Sequence, residues 1–356
     1  MPARAGMTII SKRAAMTDER NMIAETAARL FAAHLDTATF AAAEAGTWPA
    51  ALWNEIATNG LDRVLVPEDQ GGIGGGWEDA FEILLAAGRH AAPVPLAETI
   101  AASWLIARAG LDVPDGVLTL ADGEPVAVSS AGIITGALSR VPWGASASRV
   151  VAQAMDENPD RIAVFSPVGG KGALDHNIGR DPRHAMLVDG LTAQTGPGGS
   201  VMAVGALVRA CQMAGAVGRV LDLCVTYAGE RVQFGRPIGR FQAIQQQLAL
   251  LAGEAAAADI AARSACRALD RRGEAFVEIA TAKIRAGEAA GKAASIAHQV
   301  HGAIGFTDEH HLHHLTRRLW SWRAEFGAES VWATHLGNLI AAQGAGRLWP
   351  DLTARG

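Results

Sequence analysis

Two arginines stand at the one sharp break in a long helical pattern, in the stretch Glu230-Arg231-Val232-Gln233-Phe234-Gly235-Arg236-Pro237-Ile238-Gly239. A guanidinium held at a rigid, accessible corner can grip a phosphate or carboxylate through two parallel hydrogen bonds. A plain basic loop between two helices would look the same at this level. A second group is His310, His311, His313 and His314, which includes an i, i+4 pair able to share a helix face. No acid or cysteine stands at a spacing that would complete a metal set, so a helix surface near a subunit contact is expected and no metal is assigned. A third is the glycine cluster Gly71 to Gly76. Pro67 interrupts it and no strand-helix alternation follows, so it reads as a flexible turn and not as a phosphate loop.

The elements that must position these groups are mostly helical. Before the corner, Leu207, Cys211, Ala214, Gly218, Leu221 and Val225 step by threes and fours; after it, Ile244, Leu248, Leu251 and Ala255 do the same. Near the start, Ile23, Ala27, Leu30 and Ala33 share a face. Thr47 offers an N-cap to a helix holding Trp48, Leu52, Trp53 and Ile56, with Gly60 as its stop. From about Leu118 to Asp189 the period shortens to runs such as Arg149-Val150-Val151-Ala152 and Arg161-Ile162-Ala163-Val164-Phe165, punctuated by Asp122-Gly123 and Asp189-Gly190. Closely spaced strands without helices between them predict an antiparallel barrel or sandwich, with Thr195 to Ser200 as its exit linker. Farther on, Phe276, Ala280 and Ile284 face a core, and Gly287, Gly291 and Ala294 would let helices approach closely.

Composition narrows the function classes. A chain of 356 residues holds two or three domains. A net charge of −5 is the wrong sign for a dedicated nucleic-acid binder. The three cysteines, Cys211, Cys224 and Cys266, have no metal-ligand spacing and read as core residues in a reducing compartment. No uninterrupted apolar run looks long enough to span a bilayer, so no membrane role is expected. Residues 1–16 are basic and free of acids, as transit peptides are, but the run is short and carries Met7 and Met16, so a disordered or extended tail or a misassigned start is expected there in a cytoplasmic protein. The tryptophan-rich tail from Trp320 to Trp349 reads as core or oligomer interface.

Arg231-x-x-Phe234-Gly235-Arg236-x-Ile238 followed by Phe241-Gln242-Ala243-Ile244 resembles the C-terminal helical domain of the flavin-dependent acyl-CoA dehydrogenases. Val66-Pro67-Glu68 with Gly71-Gly72-x-Gly74 resembles a turn in that family's N-terminal helical domain, and Gln299-x-x-Gly302-Ala303-x-Gly305-Phe306 a second cofactor element. The resemblance implies a mostly α fold with a small β domain: a helical N-terminal domain over 17–112, a β-barrel-like domain over 113–195 and a C-terminal four-helix bundle over 200–350. It implies FAD, with Arg231 on the pyrophosphate, Phe234 near the adenine, and Gln242, Gln299 and the backbone at Gly302 completing the grip across a subunit boundary. It further implies an acyl-CoA substrate and an electron-transferring flavoprotein as acceptor.

The departures from that family are as informative. The β-domain motifs that hold the flavin ring are missing; Ser129-Ser130 and Val141-Pro142-Trp143-Gly144 stand in their place. The two family positions for the catalytic base fall on Phe326 and Val208, neither acidic. Glu325 could serve if its loop shifts by one residue, Glu329 is a weaker substitute, and both also read as helix-terminal acids. Arg209 matches a family arginine on the substrate side. The resemblance therefore points to a subunit of the bacterial heteromeric enzymes, several of which act on CoA thioesters of steroid side chains or bulky acids. In them an unlike chain carries the base and most of the flavin pocket. A scaffold that binds no flavin and a self-sufficient homo-oligomer using Glu325 are the alternatives.

Overall fold

The computed structural model describes residues 20–168 and 170–355, so the tail expected over 1–16 lies outside the described residues. The chain divides between Gly199 and Ser200 into two compact units. The first begins with helices α1 (residues 20–34), α2 (Thr37–Glu44), α3 (Ala50–Thr58), α4 (Trp77–Arg89) and α5 (Leu96–Arg108). Helix α1 buries Ala27, Leu30 and Phe31, while Ala33 faces out, so its stripe turns one residue from the expected one. Thr47 is not the cap of α3. The residue before a proline is disfavoured in the helical region, and the helix accordingly starts after Pro49, at Ala50.

The glycine turn is packed, not flexible. Arg63 donates to the carbonyls of Gln70 (2.6 Å) and Gly71 (3.2 Å) and pairs with Asp115 (3.0 Å). The Gly74 amide donates to the Val66 carbonyl and the Gly75 amide to that of Val64, each at 2.8 Å. A Cβ at Gly72 would stand 2.0 Å from the Val66 carbonyl oxygen. Only glycine fits there.

Seven strands follow: β1 (Leu118–Leu120), β2 (Val126–Val128), β3 (Ile133–Pro142), β4 (Arg149–Met155), β5 (Arg161–Phe165), β6 (Lys171–His176) and β7 (Pro182–Pro197). The pairings β2–β3, β3–β7, β7–β5, β5–β4 and β4–β2 close a ring, with β1 on β4 and β6 on β7. The barrel is mixed rather than antiparallel, because β4 pairs in parallel with both β1 and β2. Inward residues such as Val126, Ile134, Val150, Ala163, Phe165 and Val188 fill it. Asp189-Gly190 is not a turn between strands. Gly190, at φ 78°, forms a bulge in β7 where the register with β3 shifts. Thr195 to Pro197, expected as linker, pair with Ala163 to Arg161 and extend β7.

The second unit holds α6 (Val201–Glu230), β8 (Val232–Gln233), β9 (Arg236–Pro237), α7 (Gln242–Arg272), α8 (Phe276–His301), α9 (Leu312–Ala324), α10 (Glu329–Gln343) and α11 (Ala345–Thr353). The Ser200 hydroxyl caps α6 by accepting from the Ala203 amide. Helix α6 does contain an 18-residue window apolar enough to cross a membrane, at mean hydropathy 1.5, but 83% of that window is buried. A helix apolar on all sides needs neighbours all round, and alanines such as Ala258, Ala262, Ala286 and Ala290 on α7 and α8 are part of the same buried core. Gly287 and Gly291 make room for charged side chains instead of backbones: a Cβ at either would lie 3.1 Å from Glu329 or Arg323. Trp322 and Trp332 are core, whereas Trp349 is exposed.

Gly72→Ala is expected to cost about 1–3 kcal/mol in urea unfolding, because a backbone oxygen must move. Gly253→Ala, on an open face of α7 with nothing within 4 Å of the new methyl, should instead stabilise the fold by about 0.5–1 kcal/mol.

Candidate functional site

The corner is a two-stranded hairpin whose central residues, Phe234 and Gly235, have φ of 52° and 77°. Both left-handed values match the twist of a tight hairpin. An aromatic residue adopts such a conformation only under constraint. The Arg231 amide donates to the Tyr227 carbonyl and its own carbonyl accepts from Ile238, each at 2.8 Å. The backbone under Arg231 is thereby fixed at both sides. Its side chain is exposed and has no hydrogen-bond or ion-pair partner among the described residues. Phe234 is 91% exposed. Arg236 lies over the Phe241 ring at 4.4 Å, and Gln242 opens α7 with its side chain in solvent.

The last turn of α8 stands against the last turns of α6. His301 stacks on Tyr227 with ring centroids 4.6 Å apart and planes 24° off parallel. Gln299 is exposed one turn from the end. Gly302 closes the helix at φ 64°, ψ −143°, a region open only to glycine, with empty space where a side chain would be. An unpaired guanidinium, a bare aromatic ring, two exposed amides and an open glycine backbone suit a dinucleotide, whose anionic centre and flat ends need such partners. The barrel residues fit less well. Trp143 is buried at φ 53° with its edge on Trp48, and a Cβ at Gly144 would lie 2.3 Å from the Met186 methyl.

The structure brings Arg209, Glu325 and Phe326 together elsewhere in the same unit. Arg209 donates to the Glu325 carboxylate at 2.7 Å and to the Gln212 side-chain oxygen at 2.6 Å, and both ions are almost fully buried. Phe326 and Val208, the two family base positions, are buried. The Phe326 ring presses on α6 where a Cβ on Gly205 would come within 2.3 Å of it. Phe326 (φ 51°) and Gly327 (φ 86°) form a left-handed turn. Trp332 donates to the Phe326 carbonyl at 2.8 Å. Glu329 heads α10 and pairs with Arg323.

Sequence reading missed three participants. The Lys283 ammonium, fully buried, donates to the carbonyls of Trp322 (3.2 Å), Arg323 (2.8 Å) and Gly327 (2.8 Å), satisfying orphan carbonyls at the end of α9. A lysine inside the alanine stripe of α8 was the available signal. Gly205 and the Tyr227–His301 stack carry no sequence signal of their own. The histidine quartet is not a helix surface either, since His313 and His314 are buried. Burial first, then the nearby His313, Arg318, His311 and Arg317, pushes the His314 imidazole down to about 2, so it stays neutral.

A long helical bundle presenting an unpaired arginine corner and an open glycine helix end, in one chain with a helical layer and a small closed barrel, has the parts of a flavin-dependent oxidoreductase. Residues 17–112 match the profile of the acyl-CoA dehydrogenase N-terminal domain and 199–339 that of its C-terminal domain. The chain belongs to the acyl-CoA dehydrogenase family, enzymes that oxidise acyl-CoA thioesters with FAD. It is 30% identical to the acyl-CoA dehydrogenase IpdE2 of Mycobacterium tuberculosis over 307 residues, 85% of this chain and 91% of that one. It is 31% identical to FadE34 of the same organism over 313 residues, 83% of this chain and 43% of the relative. Among solved structures, a Tcur3481–Tcur3483 steroid ACAD variant superposes with TM-score 0.86 at 25% identity over 92% of this chain and 99% of its own. The ChsE4–ChsE5 complex of M. tuberculosis shares the fold at TM-score 0.82 and 23% identity, over 90% of this chain and 97% of its own.

Arg209→Met should destabilise the fold by about 3–5 kcal/mol, because it removes one ion of a buried pair. Adding Glu325→Leu should recover most of that loss in the same denaturant titration. The neutral His314 sets a pH dependence. Unfolded, the ring titrates near 6.5; folded, it resists protonation down to about 2. Stability is therefore complete above 6.5 and falls as pH drops below it, since only the unfolded chain takes up the proton. Between pH 7 and 5 the unfolding midpoint should fall, and His314→Leu should flatten that slope.

Proposed function

We propose that this chain is the base-less subunit of a heteromeric acyl-CoA dehydrogenase and that its corner grips FAD held mainly by a neighbouring chain. The observation that carries the reading is a separation. Arg209, beside the turn where a base would stand, and Arg231, at the corner, mark two levels of α6. At 1.5 Å of rise per residue they lie about 33 Å apart. A base must come within hydrogen-bond reach of the proton it takes, beside the flavin ring. The grip at one end and the turn at the other therefore serve two different sites and a second chain is needed to complete either; because the base positions here hold the buried, non-acidic Phe326 and Val208, that chain is read as an unlike one.

Bound FAD would supply the hydride acceptor for oxidation between the α and β carbons of the thioester. Arg231 would pair with the pyrophosphate, Phe234 would pack by the adenine, Gln242 and Gln299 would donate hydrogen bonds, and Gly302 would admit close approach of the backbone. The base comes from the unlike subunit. In this chain Glu325 is already engaged by Arg209 at 2.7 Å, which also removes Arg209 from the substrate. The likeness to a steroid ACAD supports a bulky, steroid-side-chain CoA thioester, and an electron-transferring flavoprotein is the proposed acceptor. Three free, buried thiols suit a cytoplasmic enzyme. A pure scaffold would have no use for both an unpaired Arg231 and an exposed Gln299.

Visible absorbance of the full chain, purified alone and co-purified with an unlike subunit, tests the proposal. FAD is expected only in the complex. With a steroid-side-chain CoA thioester as probe and rates taken per folded complex, because Glu325→Gln also weakens the buried pair with Arg209, the variant should keep activity within about twofold, where loss of a true base removes about 10²–10⁴-fold. Stoichiometric FAD on the lone chain, with activity that collapses in Glu325→Gln, would establish the self-sufficient enzyme instead.

A further inference from the structure

We propose that the Tyr227–His301 stack is a positioning device for the cofactor, locking the helix end that carries Arg231 and Phe234 to the helix end that carries Gln299 and Gly302. The inference rests on the reading of those four residues as FAD ligands. Tyr227, the only tyrosine in the chain, lies one turn before Arg231, whose amide donates to its carbonyl. His301 lies between Gln299 and Gly302. The two rings therefore join the last turns from which both halves of the grip project.

The orientation of His301 is specified at a cost. Its Nδ1–H donates to the Ala297 carbonyl at 2.9 Å, which turns the ring face toward Tyr227. Nε2 is then left with a lone pair, buried and without a donor among the described residues. An unsatisfied buried acceptor is unfavourable and rare, so the ring's placement is being held against that penalty. The groups facing it are Cys224, with Sγ 4.0 Å from Nδ1, the Tyr227 ring, His298 on the same helix and His310, whose ring meets it at 4.7 Å and 62°. Burial keeps the imidazole neutral, so no charge disturbs the stack. A second stack, His298 on Phe306 at 4.0 Å and 18°, folds the segment after Gly302 back onto α8, and His298 Nε2 meets the Thr316 hydroxyl at 3.1 Å. Aromatic contacts thus set how Arg231 stands relative to Gln299 and Gly302.

The test compares His301→Leu, His301→Phe, Tyr227→Leu and Arg231→Ala in the full chain. FAD affinity is read on the FAD-loaded complex and hydrogen exchange on the chain itself. His301→Leu and Tyr227→Leu, which keep bulk but lose the stack, should weaken FAD binding by about 3- to 10-fold, the range for one aromatic pair. They should also speed exchange in peptides covering 228–241 and 299–307, with the 205–215 core of α6 unchanged. His301→Phe should restore both. Wild-type affinity and exchange in His301→Leu or in Tyr227→Leu, while Arg231→Ala releases FAD, would overturn the inference. If Arg231→Ala also keeps full affinity, the cofactor reading fails, and the exchange of the two peptides still decides whether the stack orders the two helix ends. Should His301→Leu not fold, Tyr227→Leu, changed at a half-buried position, decides.

Discussion

A charge buried in a helical bundle must find its partners inside the bundle, and the C-terminal part of this molecule is arranged around that requirement. Arg209 and Lys283 are almost wholly removed from water. An isolated ion there would cost several kcal/mol even after the surroundings relax. Arg209 meets a carboxylate and an amide oxygen; Lys283 meets three carbonyls. Every one of those acceptors apart from Gln212 belongs to α9 or the turn after it. Satisfying the two cations therefore fixes where α9 ends, bends Phe326 and Gly327 into left-handed conformations and starts α10 at Glu329. The strain at Phe326 is sustained because three neighbours over-determine it: the Trp332 indole N–H donating to its carbonyl, the floor at Gly205 and the Glu325 anchor.

What could be read from the sequence was what local periodicity and punctuation encode. The threes and fours of Leu207 to Val225 and of Ile244 to Ala255 marked the two longest helices, and the glycines and proline between them marked the corner. Less could be read where partners are distant in sequence. The parallel pairing of β4 with β1 and β2 leaves no trace in runs of Val and Ala, and Asp189-Gly190 looks like a turn because a bulge needs the same left-handed glycine. Thr47 had the chemistry of a cap, but Pro49 excluded the helical conformation from its neighbour.

At the site the same division holds. Arg231, Phe234 and Gln242 lie within one short stretch and were visible together. The ion pair of Arg209 with Glu325 spans more than a hundred positions of chain, and nothing near Glu325 distinguishes a base from a structural anion. The buried triple donor Lys283 had only its apolar neighbours to give it away. A histidine such as His314 reads as polar surface until its burial is seen.

The two ends of α6 are under different constraints. The corner's geometry is set locally, by a hairpin of a few residues and one aromatic stack. It does not depend on what stands at the far end of the helix. The base turn is different, because a carboxylate removed from it would leave a void and an unmatched arginine inside the bundle. Here both deficits are met together: the Phe326 ring closes onto Gly205, and Glu325, one residue earlier, neutralises Arg209. An acid at position 326 would have to displace that ring from the glycine and add a second anion beside an arginine already paired. Restoring a base to this turn therefore requires rebuilding its packing and its charge balance at once. That coupling keeps an acid from being introduced at this turn by a single substitution.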